Sequence, residues 1–325
     1  MQGLRGYILR RIVLLLFVIL SVLTILFVLF KLLPGNPLSV FLDSNFPEEM
    51  IQRQKRLWGL DDPIWVQYFR YMWNMLTFNF GTSFFQMTPV RDIVIEKLLH
   101  TAAMIVPAVV LSVILGAVLG AWLGWRRGSR QEGAVVVGLL ALRSAPSFFV
   151  GIIVLMIFSY QLGWFPPGGM VSIGGHQESF WATIFTLDFL HHLILPCLVL
   201  VTREITSPAL LLRSTMLEVK GSDFLDILRA KGLPERRIIV HATRNALLPL
   251  VTDVAVMMGF LFQGQVLLEI IFAWPGVGRE LVSALNDLDY PVAQACFFVM
   301  ALIILVFNFI ADVLYGFIDP RVAYS

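Results

Sequence analysis

From Leu98 to Trp125 the chain contains no Asp, Glu, Lys or Arg, and this feature restricts the fold more than any other. The hydrocarbon core of a bilayer is about 30 Å thick, so a helix needs about 20 predominantly apolar residues to cross it. The segment exceeds that length and predicts a transmembrane helix. The composition extends this prediction, because 58% of the 325 residues are hydrophobic and 14% are charged. Soluble domains contain roughly 45–50% and about 25% respectively, so we expect an all-α polytopic membrane protein.

Five further apolar segments bring the expected number of transmembrane helices to six. The first follows Arg10 and Arg11 and ends at Lys31. It lacks the small residues that precede a signal-peptide cleavage site, so we expect it to be retained. The six segments are Ile12–Phe30, Leu98–Trp125, the stretch from after Gly133 to about Gly163, Leu190–Leu212, about Ala246–Ile271, and Pro291–Ile318.

The placement of Lys and Arg predicts that both termini lie in the cytoplasm, because short cytoplasmic loops are enriched in these residues. The loop after helix two carries three arginines and the loop after helix four carries seven basic residues, whereas the loop after helix three carries none. The predicted parts of the chain are the N-terminus with helix one (1–33), an external loop (34–97), a core of helices two to six (98–318) that includes a cytoplasmic loop (214–246), and a cytoplasmic tail (319–325).

The external loop contains one predicted surface helix. Asp62 and Pro63 place an N-cap residue before a proline at the first helical position, and the segment Ile64–Leu76 that follows is rich in aromatic residues. Aromatic side chains concentrate at the lipid–water boundary. We therefore expect the helix at that boundary, either as a packed cap over the transmembrane helices or as a contact for an external partner.

The sequence lacks the motifs of a membrane enzyme. It contains no G-x-x-x-x-G-K-[ST] phosphate loop, no HExxH and no G-x-S-x-G. Asp188, His191 and His192, with His176 nearby, have no recognised metal-ligand spacing, and we interpret them as an interfacial cluster. The two cysteines lie in apolar stretches, where they are expected to be buried. We therefore expect no enzymatic activity, no metal and no cofactor bound by this chain.

The cytoplasmic loop between helices four and five predicts two short helices. Ser222 or Asp223 can cap the first, and Gly232 can close it with a positive φ. Pro234 can begin the second helix at its first turn, with Glu235 near the positive end of the helix dipole.

One face of the first short helix is apolar, since Phe224, Leu225 and Leu228 are spaced to lie together. A capped hairpin with an apolar face is more than a connector needs. It predicts a docking element for a cytoplasmic partner.

Two motifs in this loop carry a family resemblance. They are Arg229-Ala-Lys-Gly232 and the stretch that starts at His241 and ends Arg244-Asn-Ala-Leu-Leu-Pro249. Together they resemble the ATPase-coupling loop of ABC importer permeases in the dipeptide, oligopeptide and nickel branch. Further matching segments extend the resemblance over essentially the whole chain: Leu33-Pro-Gly-Asn-Pro37, Gly59-Leu-Asp-Asp-Pro63, Gly163-Trp-Phe-Pro166, Pro275-Gly-Val-Gly278 and Asp319-Pro-Arg321.

The chain departs from the family pattern in two places. Asp226, Ile227 and Leu228 stand where the general motif has Glu-Ala-Ala, and Pro249 falls about four residues later, as is usual in the peptide-type branch. Gln263-Gly264-Gln265 stands where relatives tend to have paired glycines. The first departure could alter the fit to the ATPase, and the second leaves the identity of the cargo open.

The resemblance implies a permease subunit of an ATP-driven importer in the bacterial inner membrane. The short helix of the loop would sit in a cleft of an ATPase subunit, and closure of the ATPase dimer would switch the permease between inward-facing and outward-facing states. The implied partners are a second homologous permease, two cytoplasmic ATPase subunits that bind ATP and Mg, an external substrate-binding protein and membrane lipid, with no nucleic acid. Short peptides are the expected cargo, and nickel chelates, glutathione-like compounds and oligosaccharides are alternatives.

Two sets of candidate site residues follow. The resemblance assigns ATPase coupling to Asp223, Asp226, Arg229, Ala230, Lys231, Gly232, Pro234, Glu235 and Arg236. A charge at the bilayer centre costs about 2.5–3.5 kcal/mol on insertion scales, so charged residues within the apolar segments are expected to face the bundle interior. The candidates for the translocation path are Arg143, Arg203, Glu204, Gln263, Gln265 and Glu269.

Structural roles explain the path candidates equally well, since charges can form ion pairs between helices and glutamines can form interhelical hydrogen bonds. Arg203 and Glu204 are about 100° apart on a helix, so we expect their partners on other helices. Asp253 and Asp312 lie nearer to the ends of their segments.

Two further patterns concern helix packing. Small residues at Gly116, Gly120 and Gly124 form a double GxxxG ridge for close helix approach, within the chain or at a subunit interface. Pro196 and Pro208 are expected to bend the fourth helix.

A rival from another class is an ion-coupled secondary transporter, which would show inverted-repeat symmetry. We find no such repeat in the sequence, and a capped cytoplasmic hairpin has no role in that class. A non-transport receptor or assembly factor is a further alternative.

Overall fold

The computed structural model describes residues 2–32, 62–175 and 179–318. These residues are predominantly helical, and the β pairing among them is a single isolated bridge between Thr82 and Pro89. The predicted all-α class is therefore confirmed. The helices are α1 (Gln2–Leu32), α2 (Ile64–Leu76), α3 (Val90–Trp125), α4 (Arg130–Ser144), α5 (Ser147–Val154) with a π-helical continuation (Leu155–Gln161), α6 (Phe180–Ile184), α7 (Leu187–Glu204), α8 (Thr206–Lys220), α9 (Asp223–Ala230), α10 (Glu235–Ala246), α11 (Leu248–Gly264), α12 (Val266–Ile271), α13 (Val277–Asn286) and α14 (Tyr290–Ile318).

Four helical stretches of the described residues are long and apolar enough to cross a bilayer. They are Gly6–Leu32, Val90–Trp125, Leu187–Lys220 and Tyr290–Phe317. Two bent pairs meet the same test as units: α4 with the helical stretch from Ser147 to Gln161, bent by 93°, and α10 with α11, bent by 50°. The described residues therefore contain four spans, or six if each bent pair crosses the membrane as one span. The expected number of six stays a prediction.

The break between α4 and α5 has a local cause. Ala145 precedes Pro146 and is extended, with φ −74° and ψ 131°, because a residue before proline is disfavoured in the α conformation. Pro146 then caps α5. The third predicted segment is therefore two helices that meet at a sharp angle.

The fourth predicted segment remains one stretch, Leu187–Lys220, with a local interruption at Ile205. Pro196 lies within α7, and the helix continues through it. Pro208 has no N–H to donate to the carbonyl of Glu204, which accounts for the interruption beside it. Neither proline produces a bend as sharp as those in the two bent pairs.

The glycine ridge of α3 packs against α8. An added Cβ at Gly116 would lie 2.7 Å from Cγ of Pro208, and one at Gly124 would lie 2.6 Å from Cβ of Met216. At Gly120 an added Cβ would collide with the carbonyl oxygen of Ala209. The ridge therefore brings the backbones of two helices of this chain into close contact. The prediction that it serves helix packing is confirmed.

Two hydrophobic clusters fill the helical body. One surrounds Trp274 and joins α3, α5, α7, α11 and α12, and it contains Cys197. The other joins α1, α2, α3, α13 and α14, and it contains Cys296. Both cysteines are buried and free, as the sequence predicts.

The surface helix α2 has the predicted bounds, although Pro63 rather than Asp62 occupies the N-cap position. One face of α2 packs on α1, where the hydroxyl groups of Tyr68 and Thr24 are 2.9 Å apart. The opposite face carries three exposed aromatic side chains, Trp65, Phe69 and Trp73.

Residues 33–61, 176–178 and 319–325 lie outside the described residues, and with them the motifs at 33–37 and 319–321, most of the motif at 59–63, and His176.

Candidate functional site

The loop between α8 and α11 forms a helical hairpin of α9 and α10, as predicted. Ser222 occupies the N-cap position of α9 with an extended backbone, but its hydroxyl donates to the carbonyl of Val219 at 2.6 Å rather than capping α9. Pro234 is the N-cap residue of α10 instead of its first helical residue, and Glu235 begins the helix.

The turn of the hairpin is a Schellman motif. Gly232 has φ +75°, as predicted, and its N–H donates to the carbonyl of Arg229 at 2.9 Å. The N–H of Leu233 donates to the carbonyl of Leu228 at 3.3 Å. These are the two hydrogen bonds that define the motif, and the two leucines also pack in one apolar cluster, as its usual hydrophobic contact requires. The turn is therefore fixed by backbone geometry and by apolar burial.

The nine predicted coupling residues all lie on the exposed surface of this hairpin. Arg229 and Asp226 form an ion pair at 2.9 Å one turn apart. Because both side chains are largely exposed, the pair contributes little to stability. The exposed charges instead define the chemical character of the hairpin surface.

The apolar face of α9 differs from the prediction at one residue. Leu225 is fully buried and Leu228 packs beside it, whereas Phe224 is 38% exposed and points away from that cluster. Phe224 and Ile227, which is 55% exposed, are three residues apart and lie on the outer side of the helix. Sequence periodicity missed this second apolar face because positions 224, 225 and 228 are also compatible with one stripe.

Apolar packing attaches the hairpin to the helical body, and Lys220, the last residue of α8, makes a further contact with α3 at its base. Leu225 packs against Leu212 and Met216 of α8 in the cluster beneath the hairpin. Lys220 donates to the carbonyl of Trp125 at the end of α3 at 2.8 Å and lies 5.1 Å from the centroid of its ring. The same apolar cluster contains Ala121 of α3, so the hairpin packs on α3 and α8, the helix pair of the glycine ridge.

A second group of functional candidates lies where two helices are interrupted. We define the charged cluster as Arg143, Arg203, Glu204 and Asp253. Glu204 precedes the interruption at Ile205, near the midpoint of the stretch Leu187–Lys220. Arg143 is in the last turn of α4, before the 93° bend.

Contacts between the helices hold the charged cluster together. Thr206 of α8 donates to the carbonyl of Leu139 of α4 at 3.1 Å, one turn before Arg143. The hydroxyl of Ser207 lies 3.2 Å from a carboxylate oxygen of Asp253 in α11. Arg143 interacts electrostatically with both Glu204 and Asp253. The structure thus joins Asp253, which was not among the predicted path residues, to three residues that were.

The prediction that Arg203 and Glu204 find their partners on other helices rather than in each other is wrong for Arg203 and right in part for Glu204. Nε of Arg203 lies 3.5 Å from Oε1 of Glu204. Long side chains at the end of α7 reach each other across the 100° separation because the arginine is exposed and can bend towards its neighbour. Glu204 also interacts with Arg143 of α4, so one of its partners does lie on another helix.

Glu269 lies elsewhere, in a buried joint between α12, α3 and the start of α13. It is 1% exposed and accepts hydrogen bonds from the hydroxyl of Thr101 at 2.6 Å and from the N–H of Arg279 at 2.9 Å. Thr101 in turn accepts from the N–H of Val277 at 2.9 Å. A carboxylate at a helix N-terminus is electrostatically favoured. These contacts give Glu269 a structural role in holding the Pro275–Gly278 segment.

The two glutamine candidates lie at the end of α11. Gln265 is buried at the interruption between α11 and α12, and its main-chain carbonyl accepts from the N–H of Glu269 at 2.9 Å. The side chain of Gln263 lies outside the described residues. Gln265 therefore lies near Glu269, and the described contacts do not join it to the charged cluster.

Asp188 and His191 contact neighbouring loop residues, and His192 contacts the first turn of its own helix, α7. Asp188 accepts hydrogen bonds from the N–H and the hydroxyl of Ser172, at 2.7 and 2.8 Å. One ring nitrogen of His191 is 2.8 Å from the carbonyl of Trp164, and one of His192 is 2.9 Å from the carbonyl of Asp188. Among the described residues, no group of three or more His, Cys, Asp and Glu side chains is arranged to hold a metal ion.

Two family models together cover nearly the whole chain. The model of the binding-protein-dependent transport system inner membrane component matches residues 112–324, and the model of the N-terminal part of such membrane components matches residues 4–105. The chain therefore belongs to the family of inner-membrane components of binding-protein-dependent transport systems. It is a transport permease subunit rather than an enzyme, as the sequence predicts.

Curated relatives align over almost their full length. The oligopeptide transport system permease protein AppB of Bacillus subtilis (strain 168) is 33% identical over 321 residues, covering 98% of this chain and 99% of the relative. The di/tripeptide transport system permease protein DppB of Pseudomonas aeruginosa (strain UCBPP-PA14) is 34% identical over 340 residues with the same coverage. The dipeptide transport system permease protein DppB of Escherichia coli (strain K12) is 33% identical over 342 residues, again with that coverage.

Proposed function

We propose that the chain is half of the translocation path of a peptide importer driven by ATP. It would pair with a second homologous permease, receive short peptides from an external binding protein, and dock two cytoplasmic ATPase subunits, which bind ATP and Mg. Its termini would lie in the cytoplasm. The single observation that carries the coupling part of this proposal is the α9–α10 hairpin, whose nine candidate residues are all exposed.

The outer face of α9 suits a protein partner. Two exposed apolar side chains, Phe224 and Ile227, lie among the charges of Asp223, Asp226 and Arg229. An apolar centre with a polar rim is the usual composition of a protein–protein contact. We infer that Phe224 and Ile227 enter the ATPase cleft and that the surrounding charges set the orientation.

The cargo assignment rests on the relatives, which are named as oligopeptide, di/tripeptide and dipeptide permeases. The charged cluster supports it, because charged groups at mid-span are suited to a polar solute. A peptide carries charged termini that such groups can pair with, whereas a neutral oligosaccharide has none. Arg143, Arg203 and Glu204 are therefore the path residues that the proposal retains, with Asp253 added.

The docking proposal can be tested by co-purification. Ile227→Asp places a charge in the proposed contact, and Val240→Asp makes the same kind of change at a residue of α10 that is 66% exposed. A charge buried without a partner is costly, so we expect recovery of the ATPase subunits to fall by roughly tenfold or more with the first variant. The second variant should retain them.

Two results would contradict the proposal. Equal ATPase recovery from both variants would place the contact elsewhere than α9. Uptake by this chain alone, driven by an ion gradient and independent of ATP, would assign it instead to the class of secondary transporters.

A further inference from the structure

The charged cluster contains one cation without a close partner. Arg203 lies 3.5 Å from Glu204, and the Asp253 carboxylate lies 3.2 Å from the hydroxyl of Ser207. Arg143 forms no hydrogen bond or close ion pair with the described part of the chain, and it interacts with Glu204 and Asp253 only at longer range. Its side chain is exposed. The guanidinium group therefore has its hydrogen-bond donors free to bind another group.

The depth of the cluster determines what can surround it. Glu204 lies near the midpoint of the stretch Leu187–Lys220, and Arg143 is one turn beyond Leu139, whose carbonyl contacts α8. A charge at that depth is costly when it faces lipid, so such residues face a water-filled cavity or a partner. Interrupted helices at membrane depth are tolerated where they are buried in protein or line a cavity. Because Arg143 is exposed in this chain, the cost of a charge in lipid places it on a polar surface inside the assembly.

The charges of the four cluster side chains indicate which kind of solute could bind there. The cluster combines two basic and two acidic side chains, so its formal charges sum to zero. A simple anion that approached Arg143 would be repelled by Glu204 and Asp253, and a simple cation would be repelled by the two arginines. A solute that carries both charges meets a complementary group for each.

We propose that the charged cluster is a binding subsite for zwitterionic peptides, in which Arg143 binds the C-terminal carboxylate and Glu204 or Asp253 binds the α-ammonium group. This proposal rests on the proposed function as a peptide permease and adds the chemical feature by which the permease itself recognises the cargo. A guanidinium group forms two parallel hydrogen bonds to a carboxylate. Arg143 is assigned to the carboxylate because it is the cluster residue without a close partner.

The test uses the assembled importer, with both permeases, the ATPases and the binding protein, in proteoliposomes. The probes are trialanine and its C-terminal amide. The affinity of the binding protein for each probe is measured separately, so that uptake is compared at equal loading. The variants are Arg143→Gln and Arg143→Lys, and the matched control is Arg130→Gln at the other end of α4.

The expected result is a selective loss of discrimination. The wild type should take up trialanine roughly tenfold faster than the amide, since a hydrogen bond to a charged group contributes more than a neutral one. Arg143→Gln should bring the two rates close together, Arg143→Lys should retain part of the preference, and Arg130→Gln should leave it unchanged.

Three outcomes would overturn the proposal. The wild type could take up both probes equally, or Arg143→Gln could retain the full preference. Arg143→Gln could also lose both probes equally together with the second permease in size-exclusion chromatography, which would assign Arg143 to a contact between subunits. Failure of the proposed function has a different signature, because the wild-type complex would then show no ATP-dependent uptake of either probe.

Discussion

Replacing Thr101 by Val should destabilise the buried contact between α12, α3 and the start of α13 around Glu269. Valine has nearly the same shape as threonine, so the change removes a hydroxyl group without leaving a large cavity. That hydroxyl donates to Glu269 at 2.6 Å and accepts from the N–H of Val277 at 2.9 Å. Thr101, Glu269 and Val277 are each no more than 1% exposed, so solvent cannot replace either bond.

The magnitude follows from the two bonds that are lost. Leaving the buried N–H of Val277 without an acceptor costs about 1–3 kcal/mol, and the lost hydrogen bond to the carboxyl group of Glu269 contributes about 0.5–3 kcal/mol, the upper part of the range applying to the ionised form. The sum is about 4 kcal/mol. For a chain of this size that corresponds to a fall in apparent Tm on the order of 10 °C.

Fluorescence-detected size-exclusion chromatography after heating in detergent measures this change. Thr101→Ser is the matched control, because it keeps the hydroxyl and loses one methyl group, at about 1 kcal/mol. We expect a fall of a few degrees for Ser and a much larger fall for Val. If Thr101→Val is as stable as Thr101→Ser, the hydroxyl does not hold the joint and the reasoning is refuted.

Three further predictions concern other parts of the chain. Gly124→Ala should lower Tm, since the new Cβ would lie 2.6 Å from a side-chain carbon of α8. The control Gly133→Ala has open space around it and should leave Tm unchanged or raise it. Gly232→Ala at φ +75° should strain the hairpin by about 1–2 kcal/mol and lower uptake per ATP hydrolysed, while Gly221→Ala should retain this ratio. Trp73 should lie at the lipid–water boundary, so brominated lipids should quench less fluorescence in Trp73→Phe than in the wild type; equal quenching would contradict this.

Features that depend on neighbouring residues in the sequence were predicted well. The bounds of α2 and the positive φ of Gly232 follow from short patterns of proline, glycine and apolar residues. The glycine ridge was predicted because helical spacing alone places its three residues on one face. In each case the controlling interaction lies within a few residues of the chain or on one helix surface.

Features that depend on tertiary contacts were predicted less well. The outward position of Phe224 is decided by which face of α9 packs on α8, and periodicity over eight residues leaves that choice open. The pairing of Arg203 with Glu204 depends on side-chain conformations at an exposed helix end. The hydrogen-bonded role of Glu269 depends on Thr101, which lies 168 residues earlier in the chain.

The hairpin and the charged cluster, which the sequence presents as separate sites, are connected by one helix. α8 begins at Thr206 beside the charged cluster and ends at Lys220 beside the hairpin. Along the glycine ridge it packs so closely on α3 that there is no room for a side chain between the two helices. Thr215 of α8 also donates to the carbonyl of Ala246 at 3.0 Å, which links α8 to the end of α10.

A displacement of the hairpin by the ATPases would therefore move α8 and the start of α11 together. The contact between Ser207 and Asp253 joins these two helices, so it would be preserved in that motion. The hydrogen bond from Thr206 to Leu139 and the ion pair between Arg213 and Glu132 tie α4 to α8 as well, and Arg143 lies one turn beyond Leu139, next to the 93° bend. Because α4 is held to α8 in this way, the change that we expect in the cluster is confined to the guanidinium group of Arg143, whose distance to the two carboxylates is fixed by no short hydrogen bond.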